Sequence, residues 1–268
     1  MTGDPHPGAG AGAAPPVVTV GLSRRFGGQL ALDHLDLTVP AGAFYGFLGP
    51  NGAGKSTTIN ILTGLLSPSG GEARVLGLDV VRDTLEIKRR IGVVPDGQAL
   101  FERLTGGEQL ELVGRLHGLS APETARRAAE LLEAMELGGD ARKLVAGYSH
   151  GMRKKLALCC ALIHNPRLLF LDEPFEGVDA VAAKGIRDLL ARLVARGQTT
   201  IFLTSHVLEI VERLCTHVAI VDRGRLVAQG PLPELRRAPD GSERSLEATF
   251  LALVGGGREP GRGLEWLG

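Results

Sequence analysis

Nine consecutive residues, Gly49-Pro50-Asn51-Gly52-Ala53-Gly54-Lys55-Ser56-Thr57, have the types and spacing to hold a polyphosphate. They fit G-x-x-x-x-G-K-[ST], the phosphate-binding loop. Glycines let the backbone curl until several N–H groups point at one anion. A helix that starts near Lys55 adds unpaired N–H groups and the positive end of its dipole. Lys55 brings a mobile positive charge for the β- and γ-phosphates, and Ser56 a hydroxyl ligand for Mg²⁺.

Further along, Leu168-Leu169-Phe170-Leu171 is followed by Asp172-Glu173, four apolar strand residues and then two carboxylates. A strand parallel to the one ahead of Gly49 places Asp172 near Ser56, where it can hold the Mg²⁺ shell. Glu173, one residue on, can orient or deprotonate a water that attacks the γ-phosphate. His206 closes Thr204-Ser205-His206 at the end of another apolar strand. Ligands of open α/β sheets sit at such strand ends, and an imidazole there can reach the γ-phosphate. Tyr148-Ser149-His150-Gly151-Met152 opens a helix with a serine cap, and its free N–H groups make a second anion site.

These residues need elements to position them. Phe44–Leu48 reads as a buried strand before the loop, and Thr58–Leu62 as the helix after it. Val17–Val20 and Leu35–Val39 predict strands, and Glu72–Leu76 with Leu78–Val80 a short pair about Gly77. Ile91–Val94 predicts a buried strand that Pro95 ends. Thr105 with Glu108 and Ser120 with Glu123 have capping-box spacing, opening amphipathic helices over 106–117 and 122–135. Ser149 opens a third helix, 151–164, stopped by Asn165-Pro166.

The α/β pattern resumes with strand 168–171, helix 179–196, strand 199–204 and helix 207–214. A hairpin turns about Asp222-Arg223-Gly224. Pro231 stands at the first position of a helix to Arg237, and 246–254 is a last helix. The fold expected is α/β: a P-loop NTPase core with an antiparallel β subdomain and an inserted α-helical subdomain at about 97–166. The domain is expected over 17–254, between a disordered tail at 1–16 and a flexible tail at 255–268 that carries Trp266.

Composition narrows the partners. The net charge is zero, so no global basic field draws nucleic acid, and none is expected as a partner. Only six residues are lysine, so Lys55 is not one of a lysine-rich surface. Cys159, Cys160 and Cys215 show no metal-binding spacing and read as free thiols of a reducing compartment. The longest apolar run, Leu156–Ile163, has eight residues, well short of the roughly 18–20 that span a membrane. The Gly/Ala/Pro-rich start lacks the pattern of a signal peptide.

In order along the chain, these motifs resemble the nucleotide-binding subunit of an ABC transporter, over about Val17 to Val254. The resemblance places Phe26, in Arg24-Arg25-Phe26-Gly27, where the family stacks an aromatic ring on adenine. It makes Gly49–Thr57 the Walker A loop, Asp172 and Glu173 the end of Walker B, Glu176-Gly177-Val178-Asp179 the D-loop and His206 the switch histidine. It implies ATP and Mg²⁺ as cofactors, and a second copy or a paralogous subunit as a head-to-tail partner. Each ATP then lies between one Walker A loop and the other chain's signature helix, which gives Ser149 and Gly151 a γ-phosphate in trans.

Two positions depart from the family. Its Leu-Ser-Gly-Gly-Gln signature reads Tyr148-Ser149-His150-Gly151-Met152 here, with His150 for a glycine. Its glutamine after the 91–95 strand is Asp96, which can ligate Mg²⁺ or its water but adds negative charge beside the phosphates; Gln98 stands two residues on.

Chain length, the Pro-Asn-Gly-Ala-Gly-Lys loop, the D-loop and the last helix resemble the export branch. That branch pairs with a separate integral membrane permease and handles drugs, antibiotics, lipids and polysaccharides. The implied location is cytoplasmic, peripheral on the inner face of the cell membrane. An import motor, and an ABC ATPase acting on ribosomes or DNA, stand as alternatives.

Overall fold

The alternation of apolar residues along the central strands sorts them onto two faces, and both faces are covered. The computed structural model describes residues 14–254 apart from Gln98, Arg196, Gln198, Pro239 and Asp240. Of the tails expected at 1–16 and 255–268, residues 1–13 and 255–268, with Trp266, lie outside the described residues.

The chain begins with β1 (Val17–Phe26) and β2 (Gln29–Val39), then β3 (Phe44–Leu48), the phosphate loop and α1 (Lys55–Leu62). Next come β4 (Gly70–Val75), β5 (Leu78–Asp79), α2 (Thr84–Arg90) and β6 (Ile91–Val94). The helices α3 (Gly106–Leu116), α4 (Ala121–Ala134) and α5 (His150–Leu162) follow. The chain then runs through β7 (Leu168–Asp172), α6 (Ala180–Ala195), β8 (Thr200–Thr204) and α7 (Leu208–Leu214). It closes with β9 (His217–Asp222), β10 (Arg225–Pro231), α8 (Leu232–Leu235) and α9 (Leu246–Val254).

The larger sheet has the order β10-β9-β3-β8-β7-β6, parallel from β9 to β6 with β10 antiparallel at one edge. The smaller sheet, β2-β1-β4-β5, is antiparallel throughout. Strand β3 is buried at every residue and shows how the faces divide. Phe44 and Leu48 point to a core shared with α5, α6 and α7, whereas Tyr45 and Phe47 point to a second core shared with the small sheet and α1. Phe202 of β8 anchors the second core, its ring 5.7, 5.2 and 5.4 Å from those of Tyr45, Phe47 and Phe170. Truncating such a buried aromatic to alanine costs about 3–5 kcal/mol.

Most of the expected elements are present, with two corrections and two features that the sequence reading did not address. First, β7 is parallel to β3 but does not adjoin it; β8 lies between them, so His206 at the end of β8 stands between the loop and the carboxylates. Second, only one of the two capping boxes closes. Thr105 and Glu108 exchange both bonds, but the Glu123 carboxylate is taken by Arg126 and Arg127, so Ser120 caps alone. Third, Pro231 ends β10 and caps a helix of only four residues. Fourth, α2 carries no long apolar periodicity and buries only Ile87.

The three cysteines are free. Burial pushes the Cys160 thiol up to about 12 and those of Cys159 and Cys215 strongly upward, which keeps them protonated and inert.

Candidate functional site

The phosphate loop is a turn between a strand and a helix that cannot separate, because β3 is central in its sheet. Gly54 has φ +101° and is the N-cap of α1; a side chain there would strike Ala31 O at 2.8 Å. The loop is thus braced from below by β2, and Ala53 O accepts a bond from Gly224 N at 3.0 Å in the β9–β10 turn. Lys55 is buried, and its Nζ donates to Gly49 O at 2.8 Å and lies near Pro50 O at 3.4 Å.

The loop opens into a cleft of about 780 Å³ at the carboxyl ends of the parallel strands. From the residues singled out in the sequence it gathers Phe26, Gly49, Pro50, Asn51, Gly52, Gly54, Lys55, Ser56, Thr57, Asp96, Asp172, Glu173, Glu176 and His206. Ala53 is buried beneath the loop and does not line the cleft.

Asp172 is buried, and its Oδ1 accepts the Thr204 hydroxyl at 2.5 Å. That bond fixes one carboxylate oxygen and leaves the other directed by the end of β7. Glu173 adopts φ +47°, a left-handed conformation that costs a non-glycine residue roughly 1–3 kcal/mol. Its N–H donates to Thr204 Oγ1 at 3.1 Å, which helps hold that turn. The Glu173 carboxylate reaches in two directions. Oε2 accepts from His206 N at 3.2 Å and pairs with His206 Nδ1 at 2.9 Å, while Oε1 lies 4.0 Å from Lys55 Nζ. His206 therefore holds the carboxylate, a contact between two residues that the sequence had pointed separately at the phosphate.

Phe26 is 46% exposed, and the Arg24 guanidinium lies 4.6 Å from its ring centroid. The ring also lines the cleft, where its exposed surface offers a stacking platform for a planar group. The cleft also has lining that sequence reasoning missed: Gln29, Ala31, Ser205, Leu208 and Phe250. Phe250 and Leu208 arrive from α9 and α7, which pack together only in the tertiary fold; no local signal marks them.

Ser149 and Gly151 do not line this cleft. Ser149 caps α5, accepting from Met152 N at 3.2 Å. His150 Nε2 bonds to Glu176 O at 3.1 Å. The start of α5 therefore lies apart from the cleft that holds the phosphate loop.

Fold and cleft together define a P-loop nucleoside-triphosphate site. Comparison with known proteins narrows that class. The family model for the ABC transporter matches residues 32–176. The daunorubicin/doxorubicin resistance ATP-binding protein DrrA of Streptomyces peucetius is 44% identical over 220 residues, covering 82% of this chain and 66% of that protein. The bacitracin transport ATP-binding protein BcrA of Bacillus licheniformis is 37% identical over 221 residues, covering 82% and 71%. Among solved structures, an ATP-binding subunit of an ABC transporter superposes with a TM-score of 0.82 at 31% identity, covering 88% of this chain and 98% of that one. A dimeric ATP-binding cassette in a post-hydrolysis state with ADP and Pi gives 0.75 at 26%, covering 81% and 98%.

The chain belongs to the ABC transporter family, as an ATP-binding and ATP-hydrolysing cassette of the export type. Among the described residues no helix is long and apolar enough to cross a membrane.

Proposed function

We propose that two copies of this chain, or this chain and a paralogous subunit, pair head to tail around two ATP molecules and drive export through a separate integral membrane permease. The observation that carries this reading is the separation of Ser149 and Gly151 from the cleft that holds the phosphate loop. The start of α5 is exposed at Ser149 and His150 and capped by the Ser149 hydroxyl, a setting suited to an anion, and its own chain's cleft does not use it. Solved dimers of related cassettes support the pairing.

In this reading adenine stacks on the exposed ring of Phe26. Backbone N–H groups of the loop between Asn51 and Thr57 and the Lys55 ammonium hold the β- and γ-phosphates. The ammonium is kept at the loop mouth by Gly49 O and Pro50 O. Glu173 polarises the attacking water, with His206 fixing its carboxylate. The partner's Ser149 and Gly151 would close on the γ-phosphate.

Among the described residues no group of three or more His, Cys, Asp or Glu is placed to hold a metal alone. Mg²⁺ bound with nucleotide takes one or two protein oxygen ligands together with phosphate oxygens. The Ser56 hydroxyl and the Asp172 carboxylate, with Asp96 at the rim, form an oxygen donor set that fits it. When bound, Mg²⁺ would neutralise charge on the β- and γ-phosphates.

The chain spans 66% to 71% of the length of the relatives first matched, and their names guide the cargo. They include resistance to daunorubicin, transport of bacitracin and export of Nod factor. The cargo class proposed is a drug, antibiotic, lipid or polysaccharide, with the cassette on the cytoplasmic face of the membrane.

Replacing Glu173 with glutamine tests the base. Turnover should fall by about 10²–10⁴-fold while ATP binding persists and a closed dimer accumulates in size-exclusion chromatography. Turnover at the parent rate would remove Glu173 from the role. Co-purification of an integral membrane protein supports the permease; ribosomes or DNA in its place would overturn it.

A further inference from the structure

Helix α5 grips the segment that carries Glu173 at two points. His150 Nε2 donates to Glu176 O at 3.1 Å. One turn along, Lys154 Nζ donates to Glu173 O at 3.2 Å and lies 3.4 Å from Asp96 O. Positions four apart share a helix face, so both side chains leave α5 toward the same segment.

Lys154 is only 2% exposed, and among the described residues no carboxylate pairs with it. An ammonium so desolvated is tolerable because carbonyl dipoles replace water around it. The two held carbonyls bracket one tight turn. Glu176 N donates to Glu173 O at 3.2 Å, Glu173 has φ +47° and Gly177 φ +65°. A Cβ on Gly177 would come within 3.1 Å of His150 Nε2, so the imidazole sits directly against that backbone. Gly151 makes a matching approach: a Cβ there would lie 3.1 Å from Ala182 Cβ and 3.3 Å from Asp179 Oδ2.

We infer that His150 and Lys154 are positioning residues that clamp the Glu173–Gly177 turn onto the first turns of α5. The helix end that meets the partner's phosphate and the carboxylate that polarises water in the chain's own cleft then move as one body. The inference rests on the functional reading above for the roles of Glu173 and of the α5 N-terminus. A glycine at position 150 has no side-chain donor and cannot make the first contact. The imidazole makes it in either protonation state that keeps a proton on Nε2.

The full chain carries the test, with ATP turnover measured against ATP concentration and amide hydrogen exchange measured over residues 173–179. His150→Ala removes the donor, and His150→Gln returns an amide N–H. In His150→Ala, kcat should fall by about tenfold or more while KM for ATP stays within about twofold. His150→Gln should recover most of the rate. The Glu176 amide should exchange faster in nucleotide-free His150→Ala than in the parent. Lys154→Met should act in the same direction and combine less than multiplicatively with His150→Ala. If Lys154→Met does not fold, His150, at the surface, carries the test alone.

Parental kcat and parental exchange in His150→Ala would overturn the clamp. So would a raised KM with kcat retained, which would make His150 a nucleotide contact, or equal damage from Ala and Gln. Failure of the functional reading shows separately. Unchanged turnover in Glu173→Gln, with exchange still responding to His150→Ala, would dismiss the base and leave the clamp standing.

Discussion

The phosphate cleft and the start of α5 are both built to meet phosphate, yet they differ in how complete they are. In the cleft the three charged groups at its centre already have partners within the chain: Lys55 on loop carbonyls, Asp172 on Thr204, Glu173 on His206. At the start of α5, Ser149 and His150 are engaged in a helix cap and with the Glu176 carbonyl, and they do not line the phosphate cleft. A preorganised cleft can bind a nucleotide by itself. An exposed helix end can only complete a site that another molecule brings, so the difference argues for an enzyme whose working unit is a pair.

The comparison can be broken most severely at Lys55. Lys55→Met should weaken ATP binding by about a hundredfold, ~3 kcal/mol, in equilibrium binding to the isolated chain. A loss under about threefold would mean that the backbone alone holds the phosphates. Ser149→Arg, by contrast, should leave that binding unchanged and abolish turnover. Mixing the Lys55→Met and Ser149→Arg chains should restore about a quarter of parental activity, because half of the random pairs hold one intact site. No recovery would show that both elements serve one chain.

The far end of α5 offers a smaller effect. His164 stacks on His117 with ring centroids 3.7 Å apart, and its Nε2 bonds to Ile91 O at 2.9 Å. Burial, then the neighbouring His117 and Arg127, lower its pKa to about 4. A histidine depressed in the folded state favours the neutral form, so the unfolded chain binds more protons between about pH 6.5 and pH 4. Stability is then full above the unfolded value and declines as pH falls through that window, by on the order of 2 kcal/mol. Denaturant melts of the parent and of His164→Asn across pH 4–7 should show a flatter profile in the variant.

The least effect is expected at Asp96. It is exposed at the cleft rim, and Asp96→Gln should keep turnover within about threefold of the parent or raise it. A total loss would assign the carboxylate a function of its own.

Much of the cleft was legible because its residues are adjacent in sequence. Gly49–Thr57 is one turn, and its strand and helix flank it directly. Asp172 and Glu173 were legible because an apolar strand ends in charge only where it meets solvent or a ligand. The pairing of His206 with Glu173 was not, since it depends on β8 lying between β3 and β7, an order that periodicity does not encode. Phe250 was read as part of a helix and nothing more; its place in the cleft comes from the packing of α9 on α7. The second capping box had the right spacing and still stayed open, because Arg126 and Arg127 compete for Glu123 more strongly than a backbone N–H does.

By itself the sequence determined the local devices: the curled loop, the strand ends, the helix caps and the ligand chemistry that each could offer. Those depend on φ/ψ preferences and on side chains only a few residues apart. Tertiary structure alone decided which devices face one another. It put fourteen of the expected residues around one cleft, kept Ser149 and Gly151 out of it, and turned His150 from an altered signature residue into a contact with the Glu173 segment. The physical reason is sheet order and helix docking, which bring together residues more than a hundred positions apart through packing that no local window contains.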